Sequence, residues 1–62
     1  MFVYVMGNNV NDLNLLLVEL PEVKFLKKIF SEIWSMEFDQ IYEKRFINWC
    51  DEHNVRYTII NA

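Results

Sequence analysis

Cys50, Asp51, Glu52 and His53 place a thiol, two carboxylates and an imidazole in four consecutive positions. These groups suit nucleophilic chemistry, in which a thiolate attacks and a nearby imidazole takes its proton. On a helix Cys50 and His53 stand at i and i+3 and share a face. Two side chains of one helix rarely converge on a substrate, and no oxyanion site is legible beside them. The plainer expectation is a small core cysteine next to a helix-terminal histidine that complements the helix dipole. As metal ligands the pair also falls short, because a structural zinc site takes four such donors and the chain holds one Cys and one His. The expectation is therefore no catalytic residue, no metal and no cofactor.

A second candidate is Gly7–Asn8–Asn9–Val10–Asn11–Asp12–Leu13, which follows an apolar run and opens a helical one. This stretch resembles the fourth motif of the haloacid dehalogenase-like phosphatases, a Gly-Asp-x-x-Asn-Asp loop that helps to hold magnesium. Gly7, Asn11 and Asp12 match that pattern, and Asn8 stands where the family has its first metal-binding aspartate. The resemblance covers about seven residues. The chain has no Asp-x-Asp, so the nucleophile strand that the resemblance implies is missing and a degenerate fragment is what it points to. The loop could also meet a phosphate through backbone N–H groups, but it lacks the glycines and lysine of a P-loop. Read without the resemblance, Gly7 turns the chain at positive φ and Asp12 caps a helix.

The elements around these residues follow from patterning. Phe2–Met6 is β-branched and aromatic and stops at Gly7–Asn8–Asn9, which reads as a strand and a turn. Leu13, Leu16, Leu17 and Leu20 recur at helical spacing, which predicts a helix over 13–19, with a strand over 15–20 as the alternative. Pro21 and Glu22 suit a helix start. Val23, Leu26, Phe30 and Ile33 then form a stripe, and Phe38, Ile41, Tyr42, Phe46, Trp49 and Cys50 form another. At about 100° per residue the two stripes point roughly 150° apart. The spacing thus predicts two helices within 21–53, broken near Ser35 as N-cap, or one long helix with two differently buried halves. Asn54 suits a left-handed C′ position, and Val55–Ile60 reads as a strand. The predicted order is β-α-α-α-β. It gives an α+β domain in which two or three helices pack on a small sheet formed by the N- and C-terminal strands, with a parallel pair as the natural topology.

Size and composition narrow the function classes. Sixty-two residues form one domain, 1–62, of marginal stability. With one cysteine, no intramolecular disulfide can support it. Dense packing or a partner must supply the rest. A net charge of −3 argues against a sequence-independent grip on nucleic acid. Apolar runs such as Met1–Met6 and Leu15–Val18 are too short to span a bilayer, and no signal peptide pattern opens the chain. A free thiol then fits the cytoplasm.

Five Phe, three Tyr and two Trp in a 53% apolar chain exceed what one small core can cover. That excess, with the absence of a catalytic constellation, leads to a non-enzymatic protein-binding module, an inhibitor or regulator of a macromolecular partner. The expected contact residues are Trp34, Phe38 and Ile47 with the acidic Glu37, Asp39 and Glu43. Lys24, Lys27 and Lys28 form a basic patch that could meet the acidic one in a homodimer. Residues with AT-rich codons predominate, which fits a bacteriophage or mobile element accessory protein such as an anti-defence factor, in a host cell cytoplasm. A self-assembling structural protein is the alternative, followed by the degenerate phosphatase-like or nucleotide-binding fragment.

Overall fold

The computed structural model describes residues 1–7 and 10–61. Along the chain run β1 (Phe2–Met6), α1 (Val10–Glu19), β2 (Lys24–Phe30), β3 (Ile33–Glu37), a 3-10 turn (Gln40–Tyr42), α2 (Glu43–Glu52) and β4 (Arg56–Asn61). The strands form one sheet in the order β2-β3-β1-β4, and every neighbouring pair is antiparallel. β1 and β2 therefore run parallel with β3 between them, and β3 and β4 run parallel with β1 between them. Two split βαβ units interlock in this way, which is the ferredoxin-like βαββαβ order.

The α+β class holds and the terminal strands do pair, but the β-α-α-α-β order does not. The segment read as a helix after Pro21 is the β2–β3 hairpin, and β1 and β4 pair antiparallel. The cause lies in β2. Its ladder with β3 shifts register between Phe25 and Lys27 and again between Lys28 and Phe30. Each bulge adds one residue to the strand. Two bulges three residues apart break the alternation and put Lys24, Lys27 and Phe30 in one row at a spacing of three, while Val23, Leu26, Phe30 and Ile33 share no face: Val23 is buried in the core, Leu26 is a bulged residue, and Phe30 and Ile33 face away from the helices. The hairpin closes through Ser31–Glu32, a turn with no Gly, Asn or Asp to announce it.

Other local readings shift for similar reasons. Pro21 starts no helix; Val23 N donates to Leu20 O at 3.0 Å, and Pro21 takes the second position of that turn. Ser35 caps nothing and lies in mid-β3. α1 is a helix as expected but begins at Val10, with Asp12 in its first turn. Asp39 caps the 3-10 turn, its Oδ1 accepting from Ile41 N at 3.2 Å. Gly7 has no positive φ. A Cβ there would lie 3.3 Å from Leu13 Cγ, so close packing under α1 favours glycine at this position.

Asn54 does adopt the left-handed conformation, at φ 54°. A β-branched residue is strained there. Asn54→Val is expected to lower stability by about 1–2 kcal/mol, on the scale of the left-handed penalty, while Asn54→Gly stays near wild type. Urea unfolding of the two variants checks the order.

α1 and α2 share one core with the same side of the sheet. Val3, Val5 and Met36 come from the strands, Leu13 and Leu16 from α1, and Phe46, Trp49 and Cys50 from α2. Phe46 lies at the centre, stacked on Phe38 at 4.7 Å between centroids and edge-on to Tyr57 at 5.5 Å. Burial of these apolar groups is the main source of stability.

Candidate binding surface

The Cys50–His53 pair is not assembled as a catalytic unit. Cys50 is fully buried in the core. Burial, with Asp51 adding repulsion, pushes its thiol up to about 12, the opposite of what a nucleophile needs. His53 turns elsewhere. Its ring stacks on Trp49 with centroids 3.9 Å apart. Its Nδ1 lies 2.9 Å from Trp49 O, and since a carbonyl only accepts, that nitrogen carries the proton. Its Nε2 faces Glu19 Oε1 at 3.8 Å.

This histidine belongs to a polar clasp between the helices. Trp49 Nε1 donates to Glu19 Oε1 at 2.7 Å, and Arg45 Nη2 donates to Glu19 O at 3.1 Å. Arg45 Nε also pairs with Glu22 Oε2 at 2.6 Å. The clasp ties the end of α1 and the turn after it to α2. A shallow, open groove beside it is lined by Glu19, Arg45, Asn48 and Glu52.

A smaller cleft lies at the end of the sheet. Gly7, Asp12, Glu32, Asn54 and Arg56 line it, and Gly7 N donates to Glu32 O at 3.0 Å. Asn8, the position of the family aspartate, lies with Asn9 outside the described residues. Among the described residues no three His, Cys, Asp or Glu cluster closely enough to hold a metal ion.

The six residues expected to contact a partner do not form one surface. Phe38 is buried against Phe46, and Ile47 packs half-buried against the core. Trp34 stands in β3 opposite Val5, on the helix side of the sheet, with Phe25 at 4.9 Å between ring centroids. Asp39 is exposed in the loop, and Glu43 is half-buried at the start of α2. Glu37 alone lies on the other side of the sheet, opposite Phe2.

That other side of the sheet carries an exposed face that the sequence reading did not single out. Both helices join the core with Val3, Val5 and Met36, so alternate strand residues face away from it. Register sets them in three rows: Lys24–Glu37–Phe2–Asn61, Lys27–Ser35–Tyr4–Thr58, and Phe30–Ile33–Met6–Arg56. Among the described residues no element covers these rows. Phe2 is 42% exposed and Tyr4 38%, on the central strand β1. Tyr4 has the short side chains of Ser35 and Thr58 beside it, so its ring stands clear. Lys24, Lys27 and Arg56 lie on the outer strands, with Glu37 the one acidic side chain in the rows. The signal was present in Phe2-x-Tyr4-x-Met6, whose alternation with Val3 and Val5 marks a two-faced strand. It was masked because both faces are apolar.

No family model, curated protein or solved structure matches the chain. No helix among the described residues is long and apolar enough to cross a membrane.

Proposed function

We propose that the protein is a non-enzymatic binding module that docks a protein partner on the open face of its sheet and acts as an inhibitor or regulator of that partner. The observation that supports this reading most is the uncovered Phe2–Tyr4–Met6 row on β1, flanked by Ile33 and by cations on both outer strands. Among the described residues twelve large apolar side chains are exposed, and Phe2, Tyr4 and Phe30 of these lie together on this face. Exposed apolar area rimmed by polar groups is a mark of interaction sites. Aromatic anchors such as Tyr4 supply much of the energy of such contacts. The basic rim favours a partner with an acidic surface, and self-association into a homodimer accompanies the reading. A protein is preferred to nucleic acid because the chain is acidic and three cations on one face give only a weak grip on a polyanion.

The test compares two baits in a lysate of the cells that encode the chain. Tyr4→Glu places a charge in the middle of the open face. Val18→Glu places one on α1, where Val18 is 75% exposed, away from that face. A partner retained by wild type and Val18→Glu and lost by Tyr4→Glu supports the proposal. Equal retention by both variants sinks it. A single-stranded oligonucleotide that shifts in anisotropy with wild type and not with Tyr4→Glu would replace the protein reading with a nucleic-acid one.

A further inference from the structure

The two edges of the sheet differ in how they meet solvent. An edge strand offers unpaired N–H and C=O groups to any other strand, and lysines and bulges block such pairing. β2 has both: Lys24, Lys27 and Lys28 along seven residues, and two bulges in its ladder. β4 runs six residues, Arg-Tyr-Thr-Ile-Ile-Asn, with one charge at its start and one bulge at Ile60 near its end, where its ladder with β1 shifts register. Ile59 is 37% exposed and Ile60 45%. Among the described residues β2 is the more strongly guarded edge, by three lysines and two bulges, and β4 is free of charge and bulge from Tyr57 to Ile59.

We infer that β4 pairs antiparallel with β4 of a second copy of this chain, giving a two-fold dimer with a continuous eight-stranded sheet. This rests on the self-association expected above and not on the docking face. Three observations select a second copy as the occupant. Backbone groups along an open edge are satisfied by a strand, and only a strand pairs with them in series. The β4 sequence is compatible with itself: with Thr58 opposite its own copy, Tyr57 meets Ile59 on the helix side, and Ile60, the extra residue of the bulge, lies beyond this regular centre. The two arginines then lie at opposite ends of the seam and do not repel. Finally, the guarded β2 edges end the assembly. With both edges open, strand pairing would continue into a filament; with one edge open it closes as an isologous dimer.

The pairing sets α2 and its copy on the same side of the joined sheet, since α2 packs beside β4. It also covers Ile59 on the helix side, which the chain alone leaves partly bare.

Sedimentation over a wide concentration series tests the inference on the whole chain. Wild type is expected at twice the chain mass of 7.6 kDa. Thr58→Lys sets two ammonium groups against each other on the axis and is expected to fall to the single-chain mass, as is Ile59→Lys. Lys27→Glu, on the opposite edge, is expected to keep the dimer. Circular dichroism confirms that each variant is folded, and two separate lysine variants guard against loss of fold in one of them. A monomeric wild type, a dimer that survives both lysine variants, or a dimer lost in Lys27→Glu overturns the inference. Tyr4→Glu is expected to remain dimeric, so failure of the docking face and failure of the seam are read apart.

Discussion

Phe46→Ala is expected to leave the chain largely unfolded at ordinary temperature. Phe46 has no exposed surface and sits between the rings of Phe38 and Tyr57. Truncating such a ring removes its transfer free energy and leaves a cavity, together about 3–5 kcal/mol. A domain of this size holds only roughly 3–9 kcal/mol in total, at the usual stability per residue. The loss is not easily relieved by collapse, because the cavity is walled by three different elements: the loop after β3, α2 and β4. Phe46→Leu keeps most of the volume and is expected to cost clearly less. Urea unfolding followed by tryptophan fluorescence and by circular dichroism separates the two. A Phe46→Ala midpoint close to wild type would show that this ring is not the centre of the core.

Raising the pH is expected to weaken the fold through Cys50. Its folded thiol is pushed up from an ordinary value of 9.0 to about 12 by burial, with Asp51 second. The folded state therefore holds the proton over a range in which the unfolded chain has released it. Stability is fully present below about pH 9 and falls as the pH rises toward 12. The slope in that window approaches about 1.4 kcal/mol per pH unit. Tyr57, raised mainly by burial, pulls in the same direction. Cys50→Ala removes the thiol contribution and keeps that of Tyr57, so its stability should fall less steeply between pH 8 and pH 11. Identical slopes in wild type and variant would refute the assignment. The same burial predicts that a thiol reagent labels Cys50 in urea and hardly at all in the native protein.

The parts of the fold legible in the sequence are those with one unambiguous period and a local stop signal. Phe2–Met6 and Val55–Ile60 are dense in β-formers, and the structure has strands there. Leu13, Leu16 and Leu20 recur on one helical face, and all three are buried. Asn54 ends α2 in the left-handed region, where a short polar side chain is tolerated. Phe46, Trp49 and Cys50 share the buried face of α2 at the spacing that marked them as a stripe.

The β2–β3 hairpin was not legible, and the candidate surface went with it. With helices over 21–53 broken near Ser35, Trp34, Ile47 and Glu37 read as parts of one contact surface. Once β3 lies between β2 and β1, Trp34 turns to the helix side and Glu37 to the open one. A one-position change of register reverses every side chain on a strand, so no surface could be drawn until pairing was known.

Composition alone determined that this small chain carries more apolar surface than one core can cover, that no disulfide within it can help, and that its thiol and imidazole make a weak catalytic pair. Tertiary structure decided where the surplus lies. It put Phe2 and Tyr4 on a sheet face that no described element covers, buried Phe38, drew His53 away from Cys50 toward Glu19, and left β4 as the edge with fewer charges and bulges. The physical reason is that burial follows from which strand lies beside which, and strand pairing joins residues far apart in the chain. Local periodicity cannot report it, least of all where two bulges break the alternation of a strand.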